Sequence, residues 1–179
     1  MPVAATRENT DGRIGTRCGA LSAVARGGAG RAPGPAARRT QPASRAQGAA
    51  VVEVYKSPTC GCCNDWIKYM QANGFGNVRA HDVGNAKKRA EVGLSLRFGS
   101  CHTALIDGYV IEGHVPVREI RRLLAERPKA LGLAVPGMPL GSPGMEVNDG
   151  RVDRYDVLLV QKDETATVYA AYERKAPRG

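Results

Sequence analysis

The stretch Ser57-Pro58-Thr59-Cys60-Gly61-Cys62-Cys63-Asn64-Asp65-Trp66 restricts the fold of this chain more than any other. Ahead of it, VVEVYKS (Val51 to Ser57) has the β-branched and aromatic content of a buried strand, and Pro58 ends that strand. Behind it, Trp66, Ile67 and Met70 recur at helical spacing, Thr59 is placed as an N-cap, and Asn73-Gly74 supplies a left-handed stop. Three of the five cysteines therefore sit at a turn from a strand into a helix. Such a turn belongs to α/β architectures, in which strands and helices alternate around a central sheet.

The chemistry of that turn is open to three readings: a disulfide, a redox pair or a metal nest. Cys60 and Cys63 make a C-x-x-C, the spacing of thiol oxidoreductases. At a helix start, unpaired N–H groups and the positive end of the dipole stabilise thiolate, which is both nucleophile and metal ligand. Lys56 adds positive charge nearby. Cys62 does not fit a plain redox pair, which has no use for a third thiol between the other two. A disulfide scaffold fits poorly, because the side chains of adjacent Cys62 and Cys63 diverge. Three thiolates around one helix start suit a soft metal ion.

The elements that follow extend the pattern. NVRAHDV (77–83) reads as a second strand, and NAKKRAEVG (85–93) as a short polar helix capped by Asn85. HTALID and YVIEGHV flank Gly108 as a hairpin. Pro116 opens a helix over PVREIRRLLAERP, with Val117, Ile120, Leu123 and Leu124 on its apolar face and Pro128 as its stop. The order β-α-β-α-β-β-α predicts a thioredoxin-like α/β domain, a central mixed sheet flanked by helices. The Gly/Pro/Met-rich stretch 132–150 predicts mostly irregular chain. YDVLLVQ and ATVYAAYE, joined by KDET, then predict a C-terminal β-hairpin that extends the sheet or covers an edge.

Charge divides the chain in two. Residues 1–49 hold eight arginines and two acids, which is +6 of the net +9, and leaves 18 basic and 15 acidic residues, +3, for the rest. This Arg/Ala/Gly-rich segment cannot bury enough apolar surface to offset its ordering entropy, so it is expected to be a disordered tail or a degenerate targeting segment; Cys18 lies in it and is given no role. GALSAVA (Gly19 to Ala25) is too short and too weakly apolar for a clear secretory signal. Transit peptide, degenerate export signal and an upstream start codon remain alternatives for it. The basic excess carries no nucleic-acid-binding motif, and no apolar run reaches the roughly 18 residues of a membrane helix. Residues 50–175 are expected to form the domain.

Cys101 supplies the second clue to the chemistry. It lies just before the third strand, where thioredoxin-like folds bring a loop against the C-x-x-C turn and carry a cis-proline. Here Cys101-His102 stands in that place. On this topology a fourth thiol faces the first three. Soft thiolates select Cu(I), zinc or iron–sulfur clusters. Zinc would accept four thiolates, but no paired knuckles of a zinc ribbon are present.

The motifs YKSPTCGCC, GSCHTALIDGYVIEGHVP, IRRLLAERP and GMPLGSPGME, in this order over about Val51 to Tyr172, resemble those of the CopG-type thioredoxin-like proteins of copper-resistance operons. These are unrelated to the ribbon-helix-helix DNA binders of the same name. The resemblance implies a periplasmic copper-binding protein of copper resistance. It implies Cu(I), as a multinuclear thiolate cluster able to change redox state, with copper-resistance or electron-transfer proteins as partners. It carries over Cys60, Cys62, Cys63 and Cys101 as ligands.

The remaining candidates have plainer alternatives. His102, next to Cys101, is a ligand, a neighbour bonded to the ligands, or an ordinary hydrogen-bonded histidine. Strand alternation turns it away from Cys101, a rule that weakens at a strand end. Met138 and Met145 offer thioethers from a loop able to cover the pocket, or simply pack. His114 reads as structural, His81 as a surface residue and Trp66 as core. Two function classes stand: copper binding, with or without Cu(I)/Cu(II) cycling, and a thiol–disulfide oxidoreductase with Cys60 as nucleophile and Cys63 as resolving thiol. In the first no residue is catalytic.

Overall fold

The computed structural model describes residues 50–177. The expectations for 1–49, Cys18 included, lie outside the described residues. The chain runs β1 (Val52–Lys56), α1 (Gly61–Ala72), β2 (Val78–His81), α2 (Ala86–Glu91), a single 3-10 turn (Leu96–Phe98), β3 (His102–Ile106) and β4 (Tyr109–Glu112). Then come α3 (Val117–Glu126), β5 (Gly132–Ala134), β6 (Tyr155–Val160) and β7 (Ala166–Tyr172). The strands form one mixed sheet in the order β2-β1-β3-β4-β5-β6-β7. The first four strands and three helices follow the order expected of a thioredoxin-like domain.

Pairing explains how the site is assembled. β1 is parallel to β2 and antiparallel to β3, with Lys56 opposite His102. The end of β1 that leads into the cysteines therefore lies beside the start of β3, and Cys101 lies beside the C-x-x-C turn. β3 and β4 form the predicted hairpin, with Thr103 opposite Glu112. One sheet face buries Val52, Val54, Ala104, Ile106, Ile111 and Leu133 against Trp66 and Met70 of α1 and Val117, Ile120 and Leu123 of α3. The other face carries a smaller cluster of Leu94, Phe98, Val110, Ala134 and Val160.

Several local expectations need correction. The stretch 132–150 is not irregular from its start. Gly132–Ala134 forms β5, parallel to β4 across the α3 crossover, and gives β6 an edge to pair with. Gly132 is required there, since any Cβ would overlap the Val110 carbonyl. The C-terminal hairpin thus extends the sheet. Thr59 does not cap α1; Cys60 holds that position with no side-chain cap. Asn85 precedes α2, but its amide reaches across to Ser100 instead of capping. Pro116 is the N-cap of α3, one place earlier than its expected first-turn position.

Candidate metal centre

Four sulfurs meet at the mouth of the sheet. Cys60, Cys62, Cys63 and Cys101 each offer an Sγ within 4.8 Å of the others. Cys62 Sγ lies 3.5 Å from Cys60 Sγ and 3.8 Å from Cys101 Sγ, so it bridges the helix turn and the β3 loop. Cys63 Sγ lies 3.6 Å from the Cys101 carbonyl oxygen. The spacing within the turn decides the bonding. Cys60 and Cys63 have Cα atoms 5.4 Å apart and form a disulfide, while Cys62 and Cys101 are free. The copper reading of the sequence takes all four as thiolates, and the alternative reading takes Cys60 and Cys63 as a thiol–disulfide pair. In the structure one helical turn brings residues 60 and 63 together and they are joined, while Cys62 keeps its sulfur against Cys60 and Cys101.

The donor set suits a soft cation. Thiolates bound to one cation at about 2.3 Å with a tetrahedral angle lie about 3.8 Å apart. That matches the Cys62–Cys101 separation of 3.8 Å. Burial, and then the neighbouring Cys62, push the Cys101 thiol up to about 12. Without a cation Cys101 therefore stays protonated, and only a bound positive charge makes its thiolate affordable.

Two histidines converge on Cys101 from behind. His114 Nε2 lies 3.1 Å from Cys101 Sγ and His102 Nδ1 lies 3.4 Å from it. His114 Nδ1 is 2.8 Å from the Pro143 carbonyl oxygen. A carbonyl only accepts, so Nδ1 carries the proton, and in the neutral ring Nε2 turns a lone pair towards the sulfurs. Burial lowers the pKa of His114 and keeps the ring neutral. Its sequence reading as a merely structural residue missed this. The only local hint was its place between β4 and Pro116. His102 is fully buried, tilted against Trp66 with ring centroids 4.5 Å apart, and burial followed by His114 lowers its pKa to about 3. Among the described residues its Nε2 meets no hydrogen-bond partner. The expectation that strand alternation turns it from Cys101 fails because Cys101 lies in the bend before β3. His81 is half-buried, stacks on Tyr55 and pairs with Glu53, away from the thiols. Trp66 is core, as expected, with Nε1 donating to the Val115 carbonyl at 3.1 Å.

A polar clamp holds the loop before β3. The fully buried Glu112 carboxylate accepts from Ser100 N at 2.7 Å, Thr103 Oγ1 at 2.6 Å and Arg89 Nε at 2.9 Å. Ser100 O accepts from Arg89 at 2.6 Å and from Asn85 at 3.1 Å. Both backbone groups of the residue before Cys101 are thus held. Burial raises the Glu112 pKa and outweighs the downward pull of Thr103, Ser100 N–H and Arg89. On the first strand, Lys56 is buried and paired with Asp82, so its charge is committed beside β2.

The Gly/Pro/Met loop closes over the turn. Gly144, at φ +82°, lies so close to α1 that an added Cβ would stand 2.7 Å from Trp66 N and 2.8 Å from Cys62 O. The neighbouring Pro143 carbonyl anchors His114. Gly137 N donates to Gly99 O, and Ser100 Oγ donates to Gly137 O. Met138 and Met145 each adjoin one of these struts. Met138 is 53% exposed, and Met145 is half-buried.

Residues 98–145 match a family model described as "Protein of unknown function, DUF411". Two solved structures, of copper resistance protein CopG in form 1 and form 2, are each 44% identical at a TM-score of 0.64. Each covers 69% of this chain, and the match spans 97% and 98% of those chains respectively. The chain belongs to the CopG family. It is a homologue of a copper resistance protein, with a cysteine cluster able to hold metal. The DUF411 match takes in Cys101, His102, His114, Met138 and Met145, while C-G-C-C lies outside it. Comparison with curated proteins gives no match. Among the described residues no helix is long and apolar enough to cross a membrane.

Proposed function

We propose that the domain, residues 50–175, binds copper as Cu(I) in the periplasm and serves copper resistance there. Cys60, Cys62, Cys63 and Cys101 are its thiolate ligands when all four are reduced. His114 adds an imidazole, and His102, Met138 and Met145 surround the site or join it. A multinuclear cluster fits a set in which Cys62 and Cys101 each have more than one neighbouring donor. Copper-resistance and electron-transfer proteins are its partners. The observation that carries this reading is the convergence of four sulfurs within 4.8 Å, with a neutral imidazole lone pair 3.1 Å from Cys101 Sγ. The soft character of the set favours Cu(I).

The Cys60–Cys63 disulfide at the start of α1 favours a second reading, a thiol–disulfide oxidoreductase. Anaerobic Cu(I) titration of four single Cys→Ser variants, run beside a disulfide-reductase assay, separates the two. Copper binding predicts loss of stoichiometry or affinity in C62S and C101S as well as in C60S and C63S. The oxidoreductase predicts loss of disulfide exchange in C60S and C63S alone. Parent-like Cu(I) binding by both C62S and C101S refutes the shared site.

A further inference from the structure

The two edges of the sheet are finished differently. β2 is four residues long, and its Arg79 and His81 both pair with Glu53, which lines that edge with polar and charged groups. β7 is seven residues long, reads ATVYAAY and carries no charged side chain. Among the described residues only β6 pairs with it. Val168, near its middle, is 60% exposed. A long edge strand without charge or proline is a template for another strand.

Charge lies at the two ends of β7 instead, with opposite sign. Asp163 and Glu164 lead into the strand, and Arg174 and Lys175 follow it. All four are exposed, and among the described residues none takes part in an ion pair. Lys175 exchanges both backbone hydrogen bonds with Val152, so the chain stays paired alongside the sheet as far as Lys175. The strand bulges at Tyr169, which has no partner between the Val157–Ala170 and Leu158–Val168 pairs. α3 holds the bulge in place: Arg122 Nη1 donates to the Tyr169 carbonyl at 3.1 Å, and the Tyr169 hydroxyl donates to Glu126 at 2.7 Å. Tyr169 therefore divides the edge into two equal runs, Ala166–Val168 and Ala170–Tyr172.

We infer that β7 is a self-association edge, on which two copies of this chain pair antiparallel about a two-fold axis at Tyr169. A two-fold contact must be self-complementary, and this edge is. Antiparallel pairing sets Ala166–Val168 of one copy against Ala170–Tyr172 of the other, and at each end it sets Asp163-Glu164 against Arg174-Lys175. A parallel pair would set like charges together, which costs stability. The edge is small beside the roughly 20–30 residues a side of a standard interface, so the association is reversible and concentration-dependent. The cysteines lie where β1 meets β3, four strands in from β7, so both metal centres stay open and the inference does not rest on the copper reading.

Sedimentation equilibrium of the full chain over a concentration series tests this. Reductant and chelator are present, so that neither a thiol nor a shared metal ion links two copies. The expected result is a monomer–dimer equilibrium that weakens as salt is added. V168K puts a lysine on the edge and is expected to be monomeric with parent-like thermal unfolding. E164K and R174E each set like charges at both ends and are expected to weaken the dimer about tenfold or more. Mixed in equal amounts, the two variants regain opposite charges at both ends and associate as the parent does. A parent that stays monomeric to millimolar concentration overturns the inference. So does a V168K dimer as tight as the parent's, or a mixture that associates no better than either variant alone. Should V168K lose stability, the mixing experiment decides by itself, because Glu164 and Arg174 are exposed.

Discussion

Replacing Glu112 with alanine tests whether the polar clamp holds the Cys101 loop. The carboxylate is fully buried and accepts hydrogen bonds from Ser100 N, Thr103 Oγ1 and Arg89 Nε, while the Arg89 side chain is 11% exposed. Removing it leaves a nearly buried guanidinium without its counter-charge, a loss of about 3–5 kcal/mol. A domain of this size has about 5–15 kcal/mol in total. With a urea slope of about 2 kcal/mol per molar, the midpoint falls by about 2 M. Trp66, the chain's one tryptophan and fully buried, reports the transition by fluorescence. Removing Arg89 as well relieves the uncompensated charge, so E112A/R89A loses less than the sum of the two single variants. A loss below about 1 kcal/mol in E112A would refute the clamp, because even one orphaned buried donor costs about that much.

Two further outcomes follow from the same network and its neighbour. Burial raises the Glu112 pKa above that of the unfolded chain, so its protonation favours the fold at low pH. Stability therefore declines as pH rises from the ordinary carboxylate range through the raised value, and E112Q flattens that decline in urea titrations at stepped pH. Gly144→Ala places a methyl 2.7 Å from Trp66 N at a φ of +82°. A left-handed alanine costs about 1–2 kcal/mol and the overlap about 1–3 more. Thermal unfolding reads the loss, and nitrogen NMR of His114 reads release of its Nδ1–H from the Pro143 carbonyl. An unchanged His114 signal would show that the loop does not set its tautomer.

The legible parts of the fold were those written in short-range pattern. β1, α1, the β3–β4 hairpin and α3 follow from strand content, helical spacing and punctuation by Pro58, Gly74, Gly108 and Pro128. β5 was not legible, because Gly132-Leu133-Ala134 has no strand propensity of its own and is a strand only by fitting beside Val110. At the site, Cys60, Cys62 and Cys63 were legible as a group from sequence spacing, and Cys101 from topology. Glu112 and Arg89 were not. A charged residue within YVIE reads as the solvent side of a strand until its partner on α2 is located. His114 was hidden for a related reason. Its role depends on the Pro143 carbonyl, 29 residues downstream, and on the chain reversal that brings it there.

The third thiol of the C-G-C-C turn is where the redox pair and the metal nest meet. A C-x-x-C pair alone can exchange electrons but keeps no ligand once it closes. Cys62 stays out of that closure and keeps a free thiol. Its sulfur then lies 3.5 Å from Cys60 and 3.8 Å from Cys101, in reach of both. The half-buried Cys101 thiol has its pKa raised by desolvation, and a cation bound there would displace its proton to solvent. The turn thus sets one free sulfur, that of Cys62, between the pair that closes and the Cys101 thiol.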